Sequence, residues 1–395
     1  MLPPAETAIV GALLPPVSNR MQAIYDCIVV GGGAAGGSAA YHLACRGRQV
    51  LVLEKLALPR SKPCTGGVSP AIAQWFDFDF QPAIADTTRT VRYSWQLSDA
   101  IEAELSIPEP IWIVDRTVFD QYLLQQAQQR GAVVTDQTEV TGITFQADRW
   151  QIHTATTTYG GRYLIAADGA NSQVAQWLGF KPKVVRTAAV MTIPNLGGDR
   201  AAHFEFGLVK NGYLWSFPKG NQRTVGVAVV RGSDRPNWEP ILRQYCAAHG
   251  LQLADAAIQY HPLRVWEGQQ PLHTHHALLA GEAAGLVDPF SAEGVRPALY
   301  SGMRAAEAID AALAGEVDAL ATYSKRLQEE WGADLVWAQR LAALFHRMPK
   351  VGYHLAMKRP SATQRLGQVL CGELRYRDIA GRAIQRLSSS LIPGR

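Results

Sequence analysis

The sequence predicts an α/β protein: a Rossmann-like dinucleotide-binding domain, an antiparallel-sheet domain inserted into it, and a helical C-terminal region. Three observations predict this. A glycine fingerprint lies between two short β-branched runs, two later blocks alternate aromatic and β-branched residues with polar ones, and apolar residues recur near helical spacing from Tyr300 onward. The 395 residues suffice for two or three domains at about 150 residues each. With 47% hydrophobic and 18% charged residues the chain has an ordinary globular composition, and no apolar run reaches the ~18 residues of a spanning helix.

The elements follow in order. Tyr25 to Val30 is a short β-branched strand, Gly31 to Gly37 a glycine turn, and Ser38 to Arg46 a small-residue helix that Gly47 can cap. Gln49 to Leu53 is a second strand, completing a βαβ unit of about 30 residues. Thr88 to Val114 and Val184 to Val230 read as half-buried antiparallel strands, Asp120 to Arg130 as a helix and Tyr163 to Ala167 as a buried strand. The expected division is a disordered leader at 1–22, a discontinuous nucleotide domain at 23–75, 115–183 and 265–320, a substrate-binding sheet domain at 76–114 and 184–264, and a basic helical region at 321–395.

The net charge of +4 is too small to indicate nucleic acid, and none is expected as a partner. It is unevenly spread, since 347–395 holds ten Lys or Arg against two Asp or Glu. Five widely spaced cysteines without a CxxC pair argue against a disulfide framework and a zinc site. Met1 to Arg20 has no early basic residue and four prolines, so it reads as a leader rather than a secretion signal, and the expected location is cytoplasmic.

Gly31, Gly33 and Gly36 form GxGxxG directly after a strand and at the opening of a helix, where backbone N–H groups and the helix dipole hold a pyrophosphate. Ala35 lies within this turn, and Glu54, followed by Lys55, ends the next strand where a carboxylate accepts ribose hydroxyls. Asp168-Gly169-Ala170-Asn171-Ser172 and Gly281-Glu282-Ala283-Ala284-Gly285 each follow an apolar strand and so reach the same ligand edge.

Together the fingerprint, DGANS and GEAAGLVDPFSAEGVRPAL resemble the para-hydroxybenzoate-hydroxylase-like flavoproteins, which implies FAD held by Gly31, Gly33, Ala35, Gly36, Glu54, Lys55, Asp168, Gly169, Gly281, Glu282, Gly294 and Val295. Arg116 resembles that superfamily's cofactor-contacting arginine, although a surface ion pair is the plainer reading. Arg60-Ser61-Lys62-Pro63-Cys64-Thr65-Gly66-Gly67-Val68 and Gly212 to Gly220 are similar to the KPCGGG and YxWxFP motifs of the geranylgeranyl reductase family, FAD enzymes that saturate isoprenoid double bonds. Two positions depart from the family pattern: Thr65 stands for a glycine and Glu282 for an aspartate.

The resemblance implies a catalytic loop at Cys64, Thr65 and Gly66, with Cys64 ordering or protonating substrate, and a substrate wall of Tyr213, Trp215, Phe217 and Pro289. Alternation along a strand puts the three aromatics on one face, which equally suits plain core; Cys64 equally suits a small loop residue. With no second GxGxxG after a strand, NAD(P)H is expected as a transient electron donor. A lipophilic isoprenoid is the expected substrate, against a monooxygenase acting on an aromatic or terpenoid and a non-catalytic flavin or lipid binder. No metal is expected at His273, His275 and His276, which have no carboxylate or cysteine at ligand spacing. Leu374, Ile379, Ile384, Leu387 and Leu391, with Arg375, Arg377, Arg382 and Arg386, are compatible with an amphipathic helix, either touching a membrane peripherally or packed on the protein itself.

Overall fold

The computed structural model describes residues 24–181, 185–232, 237–253 and 256–381. In chain order the elements used below are β1 (Ile24–Val30), α1 (Ala34–Cys45), β2 (Val50–Leu53), β3 (Thr90–Trp95), β4 (Ser98–Glu104), α2 (Arg116–Gln129), β5 (Val133–Thr135), β6 (Thr158–Ala166), β7 (Arg186–Pro194), β8 (Ala202–Phe206), β9 (Gly212–Lys219), β10 (Gln222–Val229), α3 (Trp238–Ala248), β11 (Gln259–Leu263), β12 (Ala277–Leu279), α4 (Val295–Leu313), α5 (Ala333–Arg347) and α6 (Pro360–Leu370).

Two sheets organise these elements. The first, of eight strands, contains the run β12-β6-β1-β2-β5 with every neighbouring pair in it parallel; β2, β12 and the C-terminal halves of β1 and β6 are buried apolar segments, as strands covered on both faces must be, while β5 at the end of the run is partly exposed. Helix α1 packs on α4 and α2, and the whole is a Rossmann-like α/β unit. The second sheet has seven strands in the order β11-β7-β10-β9-β8-β3-β4, antiparallel except for the parallel β8–β3 pair. Its strands alternate between two separate cores: Tyr213, Trp215 and Phe217 of β9 lie in one, and Leu214 in the other, beneath α3.

Helix α1 opens at Ala34 rather than Ser38. Gly33 is extended and ends the turn, so glycines 36 and 37 are helical; Gly37 fits there because a Cβ would stand 2.9 Å from Leu123 of α2. Helix α2 likewise starts at Arg116, because Asp115 caps it by accepting from Thr117 N at 2.8 Å. Among the described residues no helix is long and apolar enough to cross a membrane. Of the tail residues, Leu374 and Ile379 pack around buried Ala338, Val369 and Tyr376 of the protein's own helical region. Ile384, Leu387, Leu391, Arg382 and Arg386 lie outside the described residues, as does the leader.

Candidate functional site

The glycines of the fingerprint do different jobs. Gly31, at φ +105°, turns the chain out of β1, and a Cβ there would stand 2.4 Å from the Ala167 carbonyl oxygen. One at Gly36 would stand 1.9 Å from the Gly31 carbonyl oxygen. Backbone packing therefore demands both. At Gly33 the nearest atom is Arg60 Nη2 at 3.5 Å, so its missing side chain leaves room in a cavity of about 840 Å³. That cavity touches both units of the fold: Gly33, Ala34, Ala35, Gly169, Gly294 and Val295 from the first, Tyr213, Trp215, His261 and Leu263 from the second, and the Lys62 to Thr65 loop between them. Helices α1 and α4 both open on a glycine here, Gly33 and Gly294, so neither Ncap residue offers a side-chain cap.

Glu54 is buried at the end of β2. Its Oε2 accepts from Gly32 N at 2.9 Å and Arg60 Nε at 3.2 Å, and Oε1 accepts from Leu56 N at 3.0 Å. Arg60 also reaches Asp120 Oδ2 at 3.1 Å, and Arg116 grips both Asp120 oxygens at 2.8 Å. Arg116 is thus not a surface ion pair. Burial opposes its charge, but Asp120 and the adjacent Cys64 outweigh it and hold the guanidinium above its ordinary pKa. Burial likewise works against the Asp120 carboxylate, and Arg116 overcomes it. Cys64 also accepts a hydrogen bond from Gly66 N at 3.4 Å, closing the loop on itself.

Glu282 faces the cavity from the loop after β12. Its Oε2 accepts from Lys62 Nζ at 2.9 Å, with His261 Nε2 at 3.5 Å, while Oε1 is buried with no partner among the described residues. Burial alone would raise this carboxyl, yet Lys62 and His261 hold it well below the usual range. Trp215 Nε1, from the second sheet, is another buried polar atom without a partner among the described residues. Such atoms cost stability unless something satisfies them. A ribityl-type hydroxyl suits Glu282 Oε1, the helix starts suit a pyrophosphate, and Gly33 leaves the space, so these residues fit a flavin dinucleotide.

Several sequence-expected residues stand elsewhere. Asp168 does not line the cavity; its carboxylate accepts from Ser172 Oγ and from Val174 N at 3.2 Å, shaping the loop that presents Gly169, and burial raises its pKa. Lys55 is exposed and absent from the lining. Gly66, at φ +88°, and Gly281, at φ +60°, shape the walls rather than line them; a Cβ at Gly281 would meet Ala35 Cβ at 2.8 Å. Phe217 packs on Phe204 and against Gly67, and Pro289 is buried, both outside the lining. Lys62, His261, Arg60, Asp120 and Asp288 were not picked out individually from sequence. Asp288 could have been, since it precedes Pro289 in the glycine-bearing loop; its Oδ1 accepts from Phe290 N at 2.7 Å and Ser291 N at 3.0 Å. His261 carries no such signal in its strand.

The three histidines divide. His273 bonds Ser324 Oγ at 2.7 Å, whereas His275 and His276 approach Asp148, with ligand atoms within 4.8 Å of one another. The sequence argument against a metal rested on ligand spacing, and the fold supplies a carboxylate that spacing could not show. None of the three lines the cavity.

A family model described as an FAD binding domain matches residues 25–331. The chain is 29% identical over 340 residues to digeranylgeranylglycerophospholipid reductase 1 of Methanothermobacter thermautotrophicus, covering 78% of this chain and 84% of that one. It is also 29% identical over 318 residues to geranylgeranyl diphosphate reductase of Rhodobacter capsulatus, covering 72% and 74%. A solved geranylgeranyl bacteriochlorophyll reductase-like protein from Thermoplasma acidophilum shares the fold at a TM-score of 0.73 and 22% identity, over 88% of this chain and 91% of that one. The flavin-dependent halogenase CmlS does so at 0.64 and 20%, over 82% and 66%.

Proposed function

The chain belongs to the FAD binding domain family as an FAD-dependent oxidoreductase of the geranylgeranyl reductase type, and from that premise we propose that it saturates C=C bonds of a prenyl or similarly lipophilic substrate. The observation that carries this reading is the shape of the cavity, which joins the fingerprint and the Cys64 loop to the apolar wall of Tyr213 and Trp215. Beyond Tyr213 lies a second, smaller and largely apolar pocket, lined by Phe204, Phe206, Phe345 and Leu370 among others, which offers a hydrocarbon chain an apolar surface.

In this reading the start of α1 would hold the pyrophosphate, Glu54 the adenosine ribose and Glu282 Oε1 a ribityl hydroxyl of FAD, and the start of α4 would favour negative charge on its ring. The chemistry FAD would supply there, once reduced, is a hydride for one alkene carbon. The Cys64 thiol lies on the cavity wall, which Arg116 also lines, and delivers the proton to the other carbon. Tyr213 and Trp215 exclude water from the reacting carbons. NAD(P)H restores the electrons as a transient visitor.

Two experiments test the reading. Gly33→Val should fold and lack FAD, since the valine points into open cavity; Gly36→Val should misfold, because its side chain meets backbone. A Gly33→Val protein full of FAD would remove the assigned cofactor position. Second, anaerobically reduced protein mixed with a geranylgeranyl substrate should return to yellow and give product heavier by two hydrogens per bond. Cys64→Ala should slow this step by roughly 10²-fold with FAD content intact. Re-oxidation that needs O₂, with oxygen in the product, establishes the monooxygenase instead.

A further inference from the structure

Between Asp334 and Glu373 the sequence contains no acidic residue and six Lys or Arg. The chain here runs through the end of α5, a break at Met348, the short helix Pro349–Gly352 and the turn Tyr353–Met357. Its inner side chains are core: Phe345, Tyr353 and Met357 are buried against the second sheet. The outer ones are not. Leu344 is 60% exposed, Met348 51%, Val351 48% and Leu355 53%, four large apolar side chains in water within twelve residues. Arg347, Lys350, Lys358 and Arg359 are exposed among them. Asp99, near the start of β4, pairs with Lys358 and faces His354 at 3.8 Å.

Isolated exposed apolar residues need no explanation, but a group of them rimmed by cations marks a contact surface. Charge and composition select its partner. Apolar side chains that enter a boundary layer, with basic ones beside them and none acidic in the segment, match an anionic lipid surface. We propose that the outer side of Leu344 to Arg359 docks on an anionic bilayer. This is not the surface that the sequence pattern offered, because Leu374 and Ile379 of that stripe are packed inside the protein.

The inner side of the same segment gives the docking a purpose. Phe345, His346 and Met357 line the largely apolar second pocket, whose lining also includes Tyr213 of the cofactor cavity. One short segment thus stands between the docking surface and the space assigned to a hydrocarbon tail, so a lipid leaving the bilayer meets the cavity without crossing bulk water. This purpose rests on the prenyl-reductase reading; the docking itself rests on the exposed side chains.

Flotation of the FAD-loaded full chain with neutral and anionic phospholipid vesicles, at low and high salt, tests it. Wild type should float with anionic vesicles and lose most of that binding in high salt. Arg347→Glu with Lys350→Glu should weaken binding by roughly tenfold or more, and Leu344→Ser with Val351→Ser and Leu355→Ser by a similar factor at low salt. Flavin absorbance and turnover of detergent-dispersed substrate should remain, while turnover of vesicle-embedded substrate falls with binding. Vesicle binding unchanged in both variants overturns the proposal, as does a wild type that ignores vesicles and instead forms a dimer the serine variant dissolves. Binding that follows the variants in a protein that reduces no prenyl alkene supports the docking and removes only the substrate reading.

Discussion

On β8, Ala202, Phe204 and Phe206 belong to the core beside the two cavities, while His203 and Glu205 face the other way, toward α3. That second face closes a polar network. Tyr245 O–H donates to His203 Nδ1 at 2.6 Å, His203 Nε2–H to Ser94 Oγ at 2.6 Å, Ser94 O–H to Glu205 Oε2, and Leu97 N–H to Glu205 Oε1 at 3.1 Å. This tautomer is the assignment that gives each of these groups a partner. Across the sheet, Trp215 Nε1 has none among the described residues, and nor does Glu282 Oε1 beyond it. The same strands build both faces, so strand propensity does not distinguish them. The difference is that the polar groups of the closed face satisfy one another and hold the fold, whereas the two left open here both line the cavity assigned to the cofactor.

The largest effect should come from breaking the closed face. Glu205→Leu strands the Ser94 hydroxyl and the Leu97 N–H in a buried site and should cost about 3 kcal/mol in urea unfolding, with FAD content unchanged at saturating cofactor. The same face predicts an acid dependence. Burial lowers His203 from 6.5 to about 3, so the folded protein keeps it neutral. Its contribution is complete above pH 6.5 and is lost as pH falls toward 3, at about 1.4 kcal/mol per unit. His203→Gln should flatten that slope. An unchanged slope would mean that other groups set the acid limit.

A smaller effect is expected on the open face from Glu282→Gln, which keeps the shape but removes the charge that Lys62 and His261 meet. FAD should bind about tenfold more weakly, or about 1.4 kcal/mol, as read by flavin fluorescence. Because burial is overcome and the Glu282 pKa is held low, the wild-type carboxylate stays ionised below its ordinary 4.5. FAD affinity should therefore not drop as pH falls through that value. A titration centred there would show the carboxylate to be ordinary, and the contrast between the faces would weaken.

Much of the open face was legible in the sequence, for a physical reason. The fingerprint, the Cys64 loop and the GEAAG loop are local, since turn geometry and helix starts are set by neighbours in the chain. Strand alternation put Tyr213 and Trp215 on one face, and the YxWxFP resemblance made that face a substrate wall. What escaped was set by approach of distant segments: His261 meets Glu282 only because β11 lies at the sheet edge beside the cavity, and Asp148 meets His276 only through strand pairing. The closed network escaped altogether, because its members come from β3, β8 and α3 and share no spacing. Phe217 shows the limit of alternation, which gave its face correctly but not the end of the cavity.

The smallest effect tests the contrast most directly. Trp215→Phe keeps an aromatic wall and removes only the partnerless N–H with the second ring's bulk. The indole lies against Gly226, where a Cβ would stand 2.3 Å from Trp215 Cζ2, so phenylalanine fits with modest loss of contact. Unfolding free energy should fall by about 1 kcal/mol, the cost of shape change rather than of a broken hydrogen bond. FAD content should hold, because the fingerprint loops are untouched, while KM for the lipophilic substrate rises roughly fivefold through the lost ring bulk and N–H donor. Tyr245→Phe is the matched change on the closed face: it removes one hydroxyl, deprives His203 Nδ1 of its donor, and should cost about 2 kcal/mol with KM unaltered. If Trp215→Phe proved as destabilising as Tyr245→Phe, the indole N–H would be part of the fold's own bonding, and the open face would not be open.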